Sequence, residues 1–154
     1  MFKIIVYLFV FITLFGVYGI FGQFNPTVHL TLLNKERSNA NLTLLAYSVC
    51  LNNAAQAHSN FMSSTRNLTT ADPHGGLFQM VDYYGQVDVQ NVAQNIGMGY
   101  RNDQQLIDTF MKGSQKKNIL NPRLTSVGVA VSKDQDGYLY WTQFFANGAC
   151  YMQN

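Results

Sequence analysis

Charge is what this sequence most lacks. Of its 154 residues only 12% are charged, about half the share of an ordinary globular chain. The formal net charge is +2 with no basic stripe, which excludes a dedicated nucleic-acid binder, because such a protein needs clustered cations against the phosphates. Glutamate and tryptophan occur once each, cysteine twice and proline three times. There is no internal repeat, heptad series or low-complexity tract. Metal and phosphate motifs are missing as well. No HxxxH, CxxC or HExxH spacing brings metal ligands together, no GxSxG marks a nucleophile elbow, and Gly97-Met-Gly99 lacks the further glycine and the lysine of a phosphate loop. Lys112, Lys116, Lys117 and Arg123 form the only basic cluster, and a solvated loop explains it. What is present is apolar and aromatic residue, 47% and 14%, too much for a disordered chain and enough for one domain with its own core.

The apolar excess is concentrated at the start. Residues 1–22 hold 17 apolar residues and one charge, Lys3, with Gly16, Gly19 and Gly22 at the end of the run. This is the pattern of a secretory signal peptide cleaved after Gly19 or Gly22. The alternative is an uncleaved anchor, since residues 4–22 are 19 uncharged positions, just long enough to cross a bilayer. No basic cluster follows, which favours cleavage, secretion and no stable membrane anchoring afterwards. The remaining 132 residues, 23–154, form a single domain whose polar share is carried by 15 asparagines and 12 glutamines.

Export changes how other residues read. Cys50 and Cys150, the only cysteines, are expected to bridge in an oxidising compartment; two free buried thiols are the alternative. Asn41-Leu-Thr43 and Asn67-Leu-Thr69 are glycosylation candidates, while Pro26 excludes Asn25.

Asn25-Pro26 marks a helix start running through Arg37, with Val28, Leu32 and Leu33 as its apolar stripe. A second helix is predicted over Leu45–Ser63 from two rows at helical spacing, Cys50, Ala54, Ala57, Phe61 and Tyr47, Leu51, Ala55, His58, Met62. Residues 64–91 read as a long irregular region. Val92–Met98 predicts a strand, and Asp103–Met111 a helix capped by Asn102. Alternation predicts strands over Ser126–Ser132 and Tyr138–Ala146, joined by the Asp134–Gly137 turn. Helices first and a hairpin last imply an α+β fold, a three-layer α/β/α sandwich.

Few residues are left to carry chemistry. Glu36 and His29 are placed in the first helix, facing solvent or capping it. His58 lies in an apolar row and reads as a core or buried-polar histidine. His74 follows Pro73 and precedes two glycines in a loop, a setting that suits ligand contact or acid–base work.

Several segments together resemble a known family. Leu32-Leu-Asn-Lys-Glu-Arg37, Leu51-Asn-Asn-Ala-Ala-Gln-Ala-His58, Pro73-His74, Ala93-Gln-Asn-Ile-Gly97, Lys116-Lys-Asn-Ile-Leu-Asn-Pro122, Val127-Gly-Val129 and Tyr140-Trp-Thr-Gln143 resemble, in consistent order over about residues 28–146, the CAP superfamily, or SCP domain. That superfamily covers cysteine-rich secretory proteins, venom antigens and pathogenesis-related proteins, and this chain is most similar to its short microbial and fungal members. The resemblance implies an α/β/α sandwich with a cleft whose two histidines and acidic residues bind a divalent metal such as zinc. Carried over, the first histidine is His74, the family's glutamate becomes Gln94, its second histidine becomes Gln115 and a tryptophan becomes Phe110. Neutral amides neither titrate nor ligate zinc well, so the cleft is expected to keep its shape without metal, cofactor or catalysis. The resemblance then implies a secreted, monomeric, non-catalytic protein that binds a lipid, a sterol or an extracellular protein. Two alternatives stand beside it: a hydrolase or protease using His74 with an aspartate from 72–88, and a structural extracellular glycoprotein.

Overall fold

The computed structural model describes residues 24–151; the expected signal segment lies outside them. The chain begins with helix α1 (Pro26–Asn39), started by Asn25, whose side-chain oxygen accepts from the amides of Thr27 and Val28. Its inner face is not the predicted apolar stripe. Buried in it are His29, Leu33 and Arg37, one helical turn apart, while Val28 is 47% exposed. Placing His29 at the surface is thus corrected: Asp103 and Gln143 meet its two ring nitrogens, and paired polar groups can be buried. Arg37 is buried the same way. Its Nε donates to the Thr43 carbonyl, Nη1 to those of Ile119 and Asn121, and Nη2 to that of Leu124. Burial lowers its pKa, and the four carbonyls supply the partners that make the buried guanidinium tolerable.

Strand β1 (Ala46–Tyr47) and helix α2 (Val49–Thr65) follow. The predicted second helix therefore starts later than expected, because Ser48 is extended and its hydroxyl caps the Leu51 amide; a cap fixes the boundary that periodicity leaves open. The supposedly irregular stretch 64–91 contains helix α3 (Leu77–Tyr83) and strand β2 (Gln86–Val87), both too short for a periodic signal. Strand β3 (Val92–Met98), helix α4 (Asp103–Phe110) capped by Asn102, short helix α5 (Lys116–Ile119), strands β4 (Ser126–Lys133) and β5 (Leu139–Ala146), and strand β6 (Ala149–Cys150) complete the chain.

The main sheet has the order β1-β4-β5-β3, with β1 parallel to β4 and the other pairs antiparallel; β2 pairs with β6 apart from it. Alternation along β5 sends Trp141 and Phe145 to one face, against α1, α4 and α5, where Leu33, Leu106, Phe110 and Ile119 form one core. Phe144 and Ala146 go to the other face, where Leu51, Ala54, Ala55, Met80 and Val81 of α2 and α3 form a second. This is the expected three-layer α+β sandwich. Cys50 and Cys150 are bridged, with Cα atoms 5.6 Å apart, tying α2 to β6.

Candidate functional site

The loop between α2 and α3 holds the most concentrated chemistry. Asp72 precedes Pro73, and its Oδ1 accepts from the His74 amide at 2.9 Å, an Asx turn of the kind Asp-Pro favours. Gly75 completes the turn at φ +103°, a conformation open to glycine. The turn brings the His74 ring back onto Asp72, Nδ1 to Oδ1 at 2.8 Å. The other oxygen, Oδ2, takes Nδ1 of His58 at 2.7 Å. One carboxylate therefore joins a half-exposed histidine in a loop to a fully buried one in α2. The second ring nitrogen of His58 meets the Thr69 carbonyl at 2.9 Å, so both sides of that ring face acceptors. Burial pushes the Asp72 carboxyl pKa up, but hydrogen bonds from His58 and His74 outweigh it and hold the pKa below its ordinary value.

Aromatic rings frame His74. Tyr83, 68% exposed, lies 4.4 Å from it between centroids, and Tyr84 lies 5.8 Å away. Burial, followed by the nearby charges of Tyr83 and Asp72, raises the Tyr84 pKa, which keeps that phenol protonated.

Gln94 stands on β3 opposite Phe144, and the His58 ring packs on Phe144 at 6.0 Å. The structure thus puts Gln94 on the same sheet face as the His58–Asp72–His74 chain. Both polar atoms of its amide are buried without a hydrogen-bond partner, as is Oγ1 of Thr142 on the same face. Gln115 arrives from the opposite face: its carbonyl accepts from Asn95 Nδ2 at 3.4 Å, and its side chain folds over Gly113. Among the described residues no hydrogen bond joins its side chain to His74 or Gln94. Asp72 and Tyr83 were not singled out by sequence reasoning; the Asp-Pro dipeptide was the available signal for the first, and nothing marked the second.

These donors do not fit a divalent metal. His58 has both nitrogens engaged and His74 has one, Gln94 offers a neutral amide, and among the described residues no three His, Cys, Asp or Glu side chains group as a metal site would require. Two shallow depressions lie elsewhere, about 360 Å³ beside α3 and about 470 Å³ beside α5.

Residues 30–145, which span this sandwich from α1 to β5, match a family model described as "CAP: Cysteine-rich secretory protein family". The chain belongs to that family. The resemblance seen in the segments from Leu32 to Gln143 is borne out. A relative from Bacillus subtilis (strain 168), the uncharacterized protein YkwD, is 28% identical over 116 residues, which are 74% of this chain and 44% of that protein; the chain spans less than half the length of this curated relative. Among solved structures, an outer surface protein of Borrelia burgdorferi aligns with a TM-score of 0.73 at 14% identity, covering 80% of this chain and 92% of that one. An extracellular SCP-domain protein of Bacillus anthracis str. Ames aligns at 0.69 and 25% identity, covering 79% and 40%. Within this CAP domain, the position where the resemblance expects the family's glutamate is Gln94, the buried amide without a partner.

Proposed function

We propose that this CAP domain is a secreted, non-catalytic binding protein whose ligand, a lipid, a sterol or an extracellular protein, contacts the surface around His74. The observation that supports this reading is the double engagement of Asp72. A histidine–aspartate pair does acid–base work when the histidine serves a nucleophile and the carboxylate orients it. Here the carboxylate is divided between His74 and the buried His58, and no described hydrogen bond links His74 to a serine, cysteine or lysine. The arrangement holds the loop in shape and presents the His74 and Tyr83 rings as a fixed contact surface.

Export is supported by the apolar start of the chain, by the disulfide and by the surface or extracellular setting named for the Borrelia and Bacillus anthracis proteins. Asn41 and Asn67 are both exposed, as glycan acceptors must be. The secreted product is expected to begin at Ile20 or Gln23, which its intact mass reads directly. The binding claim is tested with purified secreted protein, comparing wild type with His74→Ala and Tyr83→Ala against a fluorescent sterol, lipid-extract vesicles and cross-linked extracellular proteins. Saturable binding weakened in both variants supports the reading. Turnover of an ester, peptide or glycoside that disappears with His74→Ala overturns it.

A further inference from the structure

The outward face of α3 carries Phe78, Gln79 and Asp82, with Phe78 49% exposed. These side chains border the depression of about 360 Å³, which Gln86, Asp88 and Val89 close on the far side. The far wall is built to stay in place. Gln86 accepts from the Ser48 hydroxyl at 2.7 Å and donates to the Asn147 carbonyl at 3.2 Å. Asn147 Oδ1 accepts from the amides of Gln90 and Asn91, at 2.9 and 2.8 Å, pinning the segment that follows Asp88. Gln86 also pairs with Cys150, the disulfide partner of Cys50. By contrast, the side chains of Gln79, Asp82 and Asp88 make no hydrogen bond among the described residues. The groove therefore combines a rigid wall, an exposed aromatic ring and three planar polar groups with unused capacity.

We propose that this groove binds a neutral polysaccharide, a ligand class separate from those considered for the His74 surface. A pyranose ring has an apolar C–H face that packs on an aromatic side chain, and adjacent hydroxyls that donate in pairs to a carboxylate or amide. Two carboxylates and no cation line the groove, so sulfated, phosphorylated or uronate chains are repelled. Its volume falls at the small end of the ~300–1,000 Å³ range of ligand sites, suited to a short stretch of a sugar chain. The fixed wall lowers the ordering penalty that binding would otherwise incur.

Affinity gel electrophoresis of the secreted protein tests this with laminarin, mannan and hydroxyethyl cellulose dissolved in the gel, heparin as the charged control and oligolysine as competitor. The expected result is retardation by at least one neutral polysaccharide and none by heparin. It should weaken by about tenfold or more in Phe78→Ala and Asp82→Ala, a discrimination typical of one good contact. Retardation should be unchanged in Tyr138→Ala, on the distant hairpin turn, and in His74→Ala, which separates this proposal from the His74 reading. Circular dichroism confirms that each variant is folded. No retardation by any neutral polysaccharide, retardation that survives both groove substitutions, or displacement by oligolysine overturns the proposal.

Discussion

His29 and Asp103 stand 74 positions apart in the sequence and 2.7 Å apart in the core, the imidazole Nδ1 donating to the carboxylate. The other ring nitrogen accepts from Gln143 Nε2 at 2.7 Å. Gln143 Oε1 in turn accepts from Asn95 Nδ2 at 2.9 Å, and Asn95 Oδ1 from Asn118 Nδ2 at 2.7 Å. Every donor points the same way along this line, from Asn118 on the α5 side to Asp103 at the start of α4. Each bond polarises the next in a medium of low dielectric. The line crosses the sheet face that α1 covers and fixes α4 and α5 on it.

Removing a middle member leaves buried groups unpaired on both sides. His29→Ala and Gln143→Leu are each expected to lower unfolding free energy by about 2–4 kcal/mol, the combined effect of orphaned polar groups and, for alanine, a cavity. Urea denaturation followed by circular dichroism measures this, with native spectra below the transition.

Gly128 of β4 lies directly under α2, where an added Cβ would run into the Leu51–Asn52 peptide. A backbone cannot move aside as a side-chain tip can. Gly128→Ala is therefore expected to destabilise by about 3 kcal/mol or more, at the upper end of overpacking effects. Gly137→Ala is the contrast: its Cβ meets nothing within 4 Å, yet its φ of +89° strains an alanine, and about 1 kcal/mol is expected. Thermal melts of the two variants rank them.

Asp72 makes stability depend on acid. Its pKa is lower in the folded protein than in the unfolded chain, so the stabilisation it supplies is complete above the ordinary carboxylate value and disappears as pH falls through the lower native one. Asp72→Asn is expected to lose about 2 kcal/mol near neutral pH, since His58 is left buried with a poorer partner. The gap between variant and wild type should close below both pKa values, where the native carboxyl is itself protonated. Urea midpoints at about pH 7, 4 and 2 trace this convergence; a constant difference across that range would contradict it.

The Cys50–Cys150 bridge spans a separation of 100 residues. Closing so long a loop stabilises by ~4–5 kcal/mol in the chain-entropy account. Dithiothreitol, or a Cys50→Ala/Cys150→Ala double variant, is expected to lower the melting temperature sharply and to loosen β6, which hydrogen exchange at the Tyr151 amide reports through its bond to the Gly85 carbonyl.

The elements that could be read in the sequence are those with local signals. Val92–Met98 was placed to the residue, the hairpin strands to within one, and α1 and α4 by the caps Asn25 and Asn102. Helix α3 and strand β2 escaped because seven and two residues carry no usable period. In the site, His74 was legible from its Pro–Gly surroundings, and His58 as a buried-polar position. Their common partner was not: the Asp-Pro dipeptide signals a turn at Asp72, but nothing local says that its carboxylate meets both histidines.

The sequence by itself determined where the apolar start lies, which of the longer segments form helices and strands, that the cysteines can pair, and that the chain resembles the CAP family. Periodicity, capping and motif order are properties of neighbouring residues and need no fold to be seen. Only the tertiary structure decided that His29 and Arg37 go inside, and which partners hold them and the buried His58. His29, Arg37 and His58 are among the most polar members of their helices, and each is buried because partners on other segments meet its hydrogen bonds. Burial of a polar group depends on those partners, and packing alone brings them within reach.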